Sequence, residues 1–249
     1  METRHWLFAL LLGCCAGAGA ADLTQSTITE VVKDVKVNMP GAAAAAPAQI
    51  SALFKSPELL RTGAESRAEL TAPDQTLTRI GANTAFSFEN AGRTINLEQG
   101  SLLFHAPKGK GGGVIKSGGA SAAVLGTTII VSYSAQTGFK VIVLEGSAKV
   151  SLADGTAKIL KAGQLIIVLP GGMSFGDLQN IDLAKLVEGS RLVHGFSHEL
   201  PSLPLIQAAI AAQKKGSPTE DFAGNDHNPQ IDSNTYGAGP PTTQRRSNQ

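Results

Sequence analysis

The chain has 249 residues and a formal net charge of +1 at pH 7. That balance supplies no global field to draw in nucleic acid or an anionic membrane, and an aromatic content of 5% leaves little for stacking bases or sugars. Glycine is abundant at 28 residues, while valine, isoleucine and threonine crowd the middle third, a mixture that favours many short strands joined by tight turns.

The first segment reads METRHWLFALLLGCCAGAGAADLTQ. Arg4 and His5 supply a weak positive region, Trp6 to Leu12 an apolar centre, and Ala18-Gly19-Ala20 a small-residue cleavage site. This predicts a secretory signal peptide over residues 1–20. The apolar run is shorter than the roughly 20 residues that span a bilayer as a helix. A second processing route competes. Leu11 to Cys14, LLGC, loosely resembles a bacterial lipobox with Cys14 as the lipidated residue, although leucine at its second place is less usual. Both cysteines, Cys14 and Cys15, lie here, so cleavage after Ala20 leaves no disulfide, thiolate metal ligand or cysteine nucleophile. No later run is long and apolar enough to cross a membrane as a helix.

From Ile28 to Val37, ITEVVKDVKV alternates as a first strand. MPGAAAAAPAQ then reads as a low-complexity connection bounded by Pro40 and Pro47, its five alanines too short a run to hold an isolated helix. Short strand candidates follow from about Ala68 to Val168: AELTA, TAFSF, TINL, SLLFHA, GVIKS, TTIIVSY, FKVIVLE, AKVSLA, AKILK and QLIIVL. Two segments share a spacing. In GRTINLEQGSLLFHAP, Gly100 falls eight residues after Gly92 and seven before Pro107; in GTAKILKAGQLIIVLP, Gly163 falls eight after Gly155 and seven before Pro170. A third, KVIVLEGSAKVSLADG, has the same plan around Gly146 without the proline. The pattern is either a repeat of stacked two-strand rungs or what any glycine-rich β chain produces.

After Gly172 the character changes. IDLAKLVEGSRLVHGF carries Ile181, Leu183, Leu186 and Val187 close to a helical stripe, with Asp182 at its start where it suits the helix dipole. LPLIQAAIAAQKK predicts a second short helix ending on Lys214 and Lys215, then Gly216. Residues 217–249 are polar, with almost no aliphatic side chains, and read as a disordered tail.

Three stretches invite chemistry, and each has a plainer reading. PKGKGGGV, Pro107 to Val114, lacks the hydroxyl residue and following helix of a phosphate loop, and reads as a flexible hairpin loop whose lysines, Lys108 and Lys110, are available to a partner. His194 and His198 have the spacing of two ligands on one helical face, with Glu199 or Asp182 as a third, but Gly195 breaks the helix and they read as surface histidines. EGSAK brings Glu145, Ser147 and Lys149 close in sequence, and reads as pairing on a solvent face. No catalytic residue, metal ligand or cofactor site is assigned, and no enzymatic activity is expected.

The centre of the chain resembles the FecR domain, a periplasmic sensor-like domain associated with iron-dicitrate signalling. Its core signature, roughly Thr-Pro-x-Ala-x-Val-x-Val-x-Gly-Thr-x-Phe-x-Val, corresponds here to SGGASAAVLGTTIIV, Ser117 to Val131. Ala120, Val124, Gly126, Thr127 and Val131 match; Ser117, Gly118, Ala122 and Ile129 depart from it. LLRTGAESRAEL, Leu59 to Leu70 with Gly63, resembles the family's lead, VIVLEGSAKV its downstream segment, and LKAGQ its close. The similarity covers about Ile28 to Val168. It implies that Gly126 and Thr127 form a corner, glycine accepting a backbone that a side chain resists and Thr127 returning its hydroxyl to a nearby backbone group. Gly100, Gly146 and Gly163 are expected to turn likewise.

The expected fold is all-β, a short-strand FecR-like β-solenoid or twisted sandwich, with small C-terminal helices and a disordered tail. Its expected parts are a signal peptide over 1–20, the FecR-like β domain over 28–172, a helical segment over 173–216 and the tail over 217–249. The resemblance implies binding to a transporter-side partner and relay to an anti-sigma segment. This sequence shows no such segment and no transmembrane helix before the domain, so relay across a membrane within one chain is not expected. The expectation is a free-standing module, exported to the periplasm or cell surface of a bacterial envelope. It would act by binding an envelope protein or ligand, with strand addition at sheet edges as the natural mode. No nucleic-acid partner is expected, and membrane attachment only through a lipid on Cys14. The alternatives are a structural envelope component or a polysaccharide-acting envelope protein.

Overall fold

The computed structural model of the chain describes residues 21–216. The expected leader, Cys14 and the expected tail lie outside the described residues. The strands are β1 (Gln25–Val32), β2 (Val35–Asn38), β3 (Ala46–Pro47), β4 (Leu53–Lys55), β5 (Leu59–Thr62) and β6 (Arg67–Thr71). They continue with β7 (Leu77–Ile80), β8 (Ala85–Phe88), β9 (Thr94–Ala106), β10 (Gly113–Ser117), β11 (Ala120–Val124) and β12 (Thr127–Ser134). Last come β13 (Gly138–Glu145), β14 (Ser147–Leu152), β15 (Ala157–Lys161), β16 (Gln164–Val168) and β17 (Gln179–Asn180), followed by α1 (Leu183–Gly189), α2 (Arg191–His194) and α3 (Leu203–Gly216).

These strands form two facing sheets. One runs β4-β1-β6-β7-β9-β12-β13-β16-β17. The other runs β3-β2-β5-β8-β9-β10-β11-β14-β15. Neither closes into a barrel. β9 belongs to both: its first half pairs with β8 and β10, and its second half, from Gly100, with β7 and β12. Every pairing is antiparallel except β9 with β10, where the chain makes one full coil around the sandwich before resuming its zig-zag. The architecture is therefore a sandwich with a single solenoid-like coil.

Alternation along the strands explains the layering. Inward residues of the first sheet, such as Leu102, Phe104, Ile129, Val131, Phe139 and Val141, meet Ile95, Leu97, Ile115, Ala122 and Val150 of the second in one buried cluster. Each of the larger side chains among them contributes about 1.5–3 kcal/mol on burial. The outward residues of the first sheet are also apolar: Leu103, Ile130, Ile142, Leu144 and Leu165 form a second cluster with Leu183, Leu186, Leu192, Leu203 and Ile206 of the helices. We call this the capped sheet. The cap is why β13 is buried along its whole length and reads as a continuous apolar run. The other sheet, the open sheet, turns residues such as Lys36, Arg61, Glu98, Lys116 and Lys149 outward.

Some boundaries differ from the sequence reading. The stretch expected as one strand over Ile28–Val37 is two, broken where Lys33 takes φ 61°, so that β1 joins the capped sheet and β2 the open one. The connection after it holds the short β3. TINL and SLLFHA, expected as separate strands, are the two halves of β9. The helical stripe after Gly172 is divided at Ser190 into α1 and α2, and Asp182 caps α1 by accepting from the Lys185 N–H.

The glycine-spaced segments all cross between sheets, though not by one repeated step. Gly100 and Gly163 carry the chain from open to capped sheet, whereas Gly146 carries it back. The crossings at 34, 63–66, 81–84 and 100 line one long side of the sandwich, and those at 56–58, 107–112, 126, 146 and 163 line the other.

Candidate functional site

On the first side, the corners are linked in series. Gly63 N–H donates to Asp34 O at 2.9 Å, Asn83 N–H to Gly63 O at 3.0 Å, and Gly81 N–H to Ser101 O at 2.8 Å. On the second side, Gly126 has φ +67°, and a Cβ there would lie 2.6 Å from Lys108 Cγ and 3.0 Å from Lys108 Cα. The Thr127 hydroxyl donates to Ser147 O at 2.9 Å and faces Ser147 N–H at 3.4 Å, bonding this corner to the next one at Gly146. Gly163 N–H donates to Val143 O at 2.9 Å. Gly63 and Gly100 thus stand on one side, and Gly126, Thr127, Gly146 and Gly163 on the other.

Glu145, Ser147 and Lys149 do not share a solvent face. The crossing at Gly146 puts Glu145 on the capped sheet and the other two on the open sheet. Glu145 is buried, whereas Ser147 and Lys149 are exposed. The Thr128 hydroxyl donates to Glu145 Oε1 at 2.8 Å, and its oxygen lies 2.9 Å from His105 Nδ1. Burial raises the Glu145 carboxyl above its ordinary value, against the opposing Thr128 hydrogen bond, and burial lowers His105. The hydroxyl sits between imidazole and carboxylate, so the histidine does not stand between nucleophile and acid as in a Ser-His-Asp triad.

A second buried polar group holds the cap. Arg79 Nε is 2.8 Å from Glu69 Oε2, and its Nη atoms reach the carbonyls of Val193 and His198 at 2.6 Å each. The Glu69 carboxylate also accepts from Thr29 Oγ1 at 2.8 Å. Ser197 is bonded through its N–H and hydroxyl to Glu30. Sequence reading missed both buried groups. His194 and His198 are exposed, and among the described residues no cluster of His, Cys, Asp or Glu is arranged to hold a metal.

The open sheet offers two accessible features. A shallow depression of about 440 Å³ is lined by Asn96, Glu98, Lys116, Ser121 and Ser151 beside the Gly118–Gly119 turn. At the end of the sheet β15 pairs with β14 alone, and its Ile159 is 69% exposed. The cap covers the outer face of the capped sheet at β7, β9, β12, β13 and β16, while its β1–β4 end stays open, with Leu53 50% exposed. The free end and outer face of the open sheet are accessible for recognition.

Residues 58–149 match the model of the family described as FecR protein. The match runs from just before β5 into β14, narrower than the 28–168 span of the sequence resemblance. Two crystal structures of a candidate anti-sigma factor from Parabacteroides distasonis are similar. The 1.65 Å structure has a TM-score of 0.46 at 20% identity, over 53% of this chain and 63% of that one. The 2.50 Å structure has a TM-score of 0.46 at 21% identity, over 53% and 62%. The chain thus spans less than two thirds of either protein. No curated protein matches it. Among the described residues no helix is long and apolar enough to cross a membrane.

Proposed function

We propose that this protein is an exported, non-enzymatic FecR-type interaction or sensing module of the bacterial cell envelope, acting by binding a protein or ligand outside the cytoplasm. The FecR match at residues 58–149 carries the reading. The layering supports it: the helices occupy one sheet face, and the titratable groups buried beneath them are engaged with one another or with the cap. Export rests on the leader pattern of residues 1–20. Arg93 Nη1 donates to Ala21 O at 2.7 Å and Leu23 is buried, so the residues just after the expected cleavage point are anchored to the fold.

The test is capture of the full chain, mildly crosslinked, from an envelope fraction of the producing cell, with the mature N-terminus read by mass spectrometry. A stoichiometric partner and an N-terminus at Ala21 are expected. Absence of any partner under crosslinking would favour a structural envelope component, and a start at lipidated Cys14 would replace simple cleavage.

A further inference from the structure

We propose that β15 is a docking edge for an acidic, extended segment of a partner protein, which adds to the open sheet as one more strand. The inference rests on the reading above that the module acts by binding. Four strands end the two sheets among the described residues. β3 and β17 have 2 residues each, with Pro47 in β3, and β4 has 3. Such short or proline-bearing strands blunt an edge against pairing. β15 has 5 residues and no strand paired to its outer edge.

Its free hydrogen-bonding groups can be assigned. Leu152 N–H donates to Thr156 O at 2.9 Å across the β14–β15 turn, so Thr156, Lys158 and Leu160 direct their backbone groups at β14. Ala157, Ile159 and Lys161 direct theirs away. The Lys161 N–H is already taken by Gln164 Oε1 at 2.9 Å, which leaves Ala157 and Ile159 to receive a strand.

The side chains set the chemistry of that strand. Exposed Ile159 shares the outer face with Lys161, two residues on, and with Lys149 directly opposite it on β14, while Lys158 lies at the same edge on the inner face. Among the described residues none of these lysines is in an ion pair. Lys158 lies 5.2 Å from the Phe175 ring centroid instead, and Asp154, in the neighbouring turn, is bonded to Thr156 N–H. An edge with lysines on both faces, none in an ion pair, fits an extended strand that carries carboxylates. A second copy would set the same lysines against themselves.

The test uses the full chain, labelled for amide exchange, and an acetylated ten-residue peptide of alternating glutamate and valine, with a lysine–valine peptide as control. The Ile159 amide is expected to exchange fast alone, to slow at least tenfold with the acidic peptide, and to be unaffected by the basic one. Lys158→Glu with Lys161→Glu should abolish the protection of the Ile159 amide, and Ile159→Pro, which carries no amide there, should abolish the matching protection of the Ala157 amide, each leaving the melting temperature within a few degrees. No protection, or equal protection by both peptides, overturns the proposal. So does an amide already protected without peptide: concentration-dependent protection would assign the edge to a second copy, and concentration-independent protection to residues 217–249, which include Glu220 and Asp221. Envelope capture separates the two readings. A partner retained equally by the double variant sinks the edge but keeps the binding module; no partner for the natural chain sinks the module.

Discussion

The Arg79 guanidinium donates to the Val193 carbonyl at 2.6 Å, joining a strand of the capped sheet to the last turn of a helix 114 residues further along the chain. It satisfies carbonyls that a helix end leaves without partners, holds Glu69, and lies 4.5 Å from the Phe196 ring. Arg79→Met should destabilise the fold by about 3–5 kcal/mol in urea unfolding, because it strands the buried Glu69 carboxylate. Adding Glu69→Gln should recover part of that loss. A loss below about 1 kcal/mol would mean the clamp does not hold the cap.

The corner at Gly126 gives a contrast between two substitutions. Gly126→Val must place a branched side chain at φ +67° against Lys108, and should cost more than the roughly 1 kcal/mol of an ordinary glycine replacement. Gly92→Ala sits at φ +75° with nothing within 4 Å, and should lose only about 1 kcal/mol. Thermal melting of the two, side by side, checks the crowding argument; equal melting would remove it.

Ile206 of α3 is fully buried against the capped sheet. Ile206→Ala should lose about 2–5 kcal/mol in a single unfolding transition, shared by near-UV and far-UV signals, if cap and sandwich unfold together. Separate transitions would show the cap to be an independent unit.

Glu145 and His105 act oppositely on stability with pH. A carboxyl raised in the fold binds its proton more tightly there than in the unfolded chain, so stability is lost as pH rises from its ordinary value of 4.5 through the raised folded value. A histidine lowered in the fold instead loses stability as pH falls from 6.5 through the folded value. Glu145→Gln should therefore melt higher than the natural chain at pH 7, with the difference shrinking as the pH approaches 4.5. His105→Gln should flatten the loss below pH 6.5. A lower melting temperature for Glu145→Gln at pH 7 would show the carboxylate to be stabilising.

Much of the strand framework was legible because glycines punctuate it, and because alternation and β-branched residues mark the runs between them. The corner at Lys33–Asp34 was not: no glycine marks it, and ITEVVKDVKV alternates through it. The apolar run of β13 was visible, but its cover lies in helices that the sequence places after Gly172 without saying which face they seek. Arg79, at an alternate position in TLTRI, reads as a solvent-facing residue because its carbonyl partners are remote in sequence. Glu145 beside Gly146 reads as the start of a surface turn, and only the neighbouring strands bring Thr128 and His105 to it. The free edge of β15 follows from pairing order, which the strand pattern alone does not determine.

A photoreactive residue placed at position 159, and in a second protein at Ile50, which is 60% exposed toward the opposite end of the strand order, tests the binding account most directly. Irradiation in intact envelopes should yield one discrete protein adduct from position 159 and none from position 50. No adduct at 159, or the same adduct from both, would contradict it.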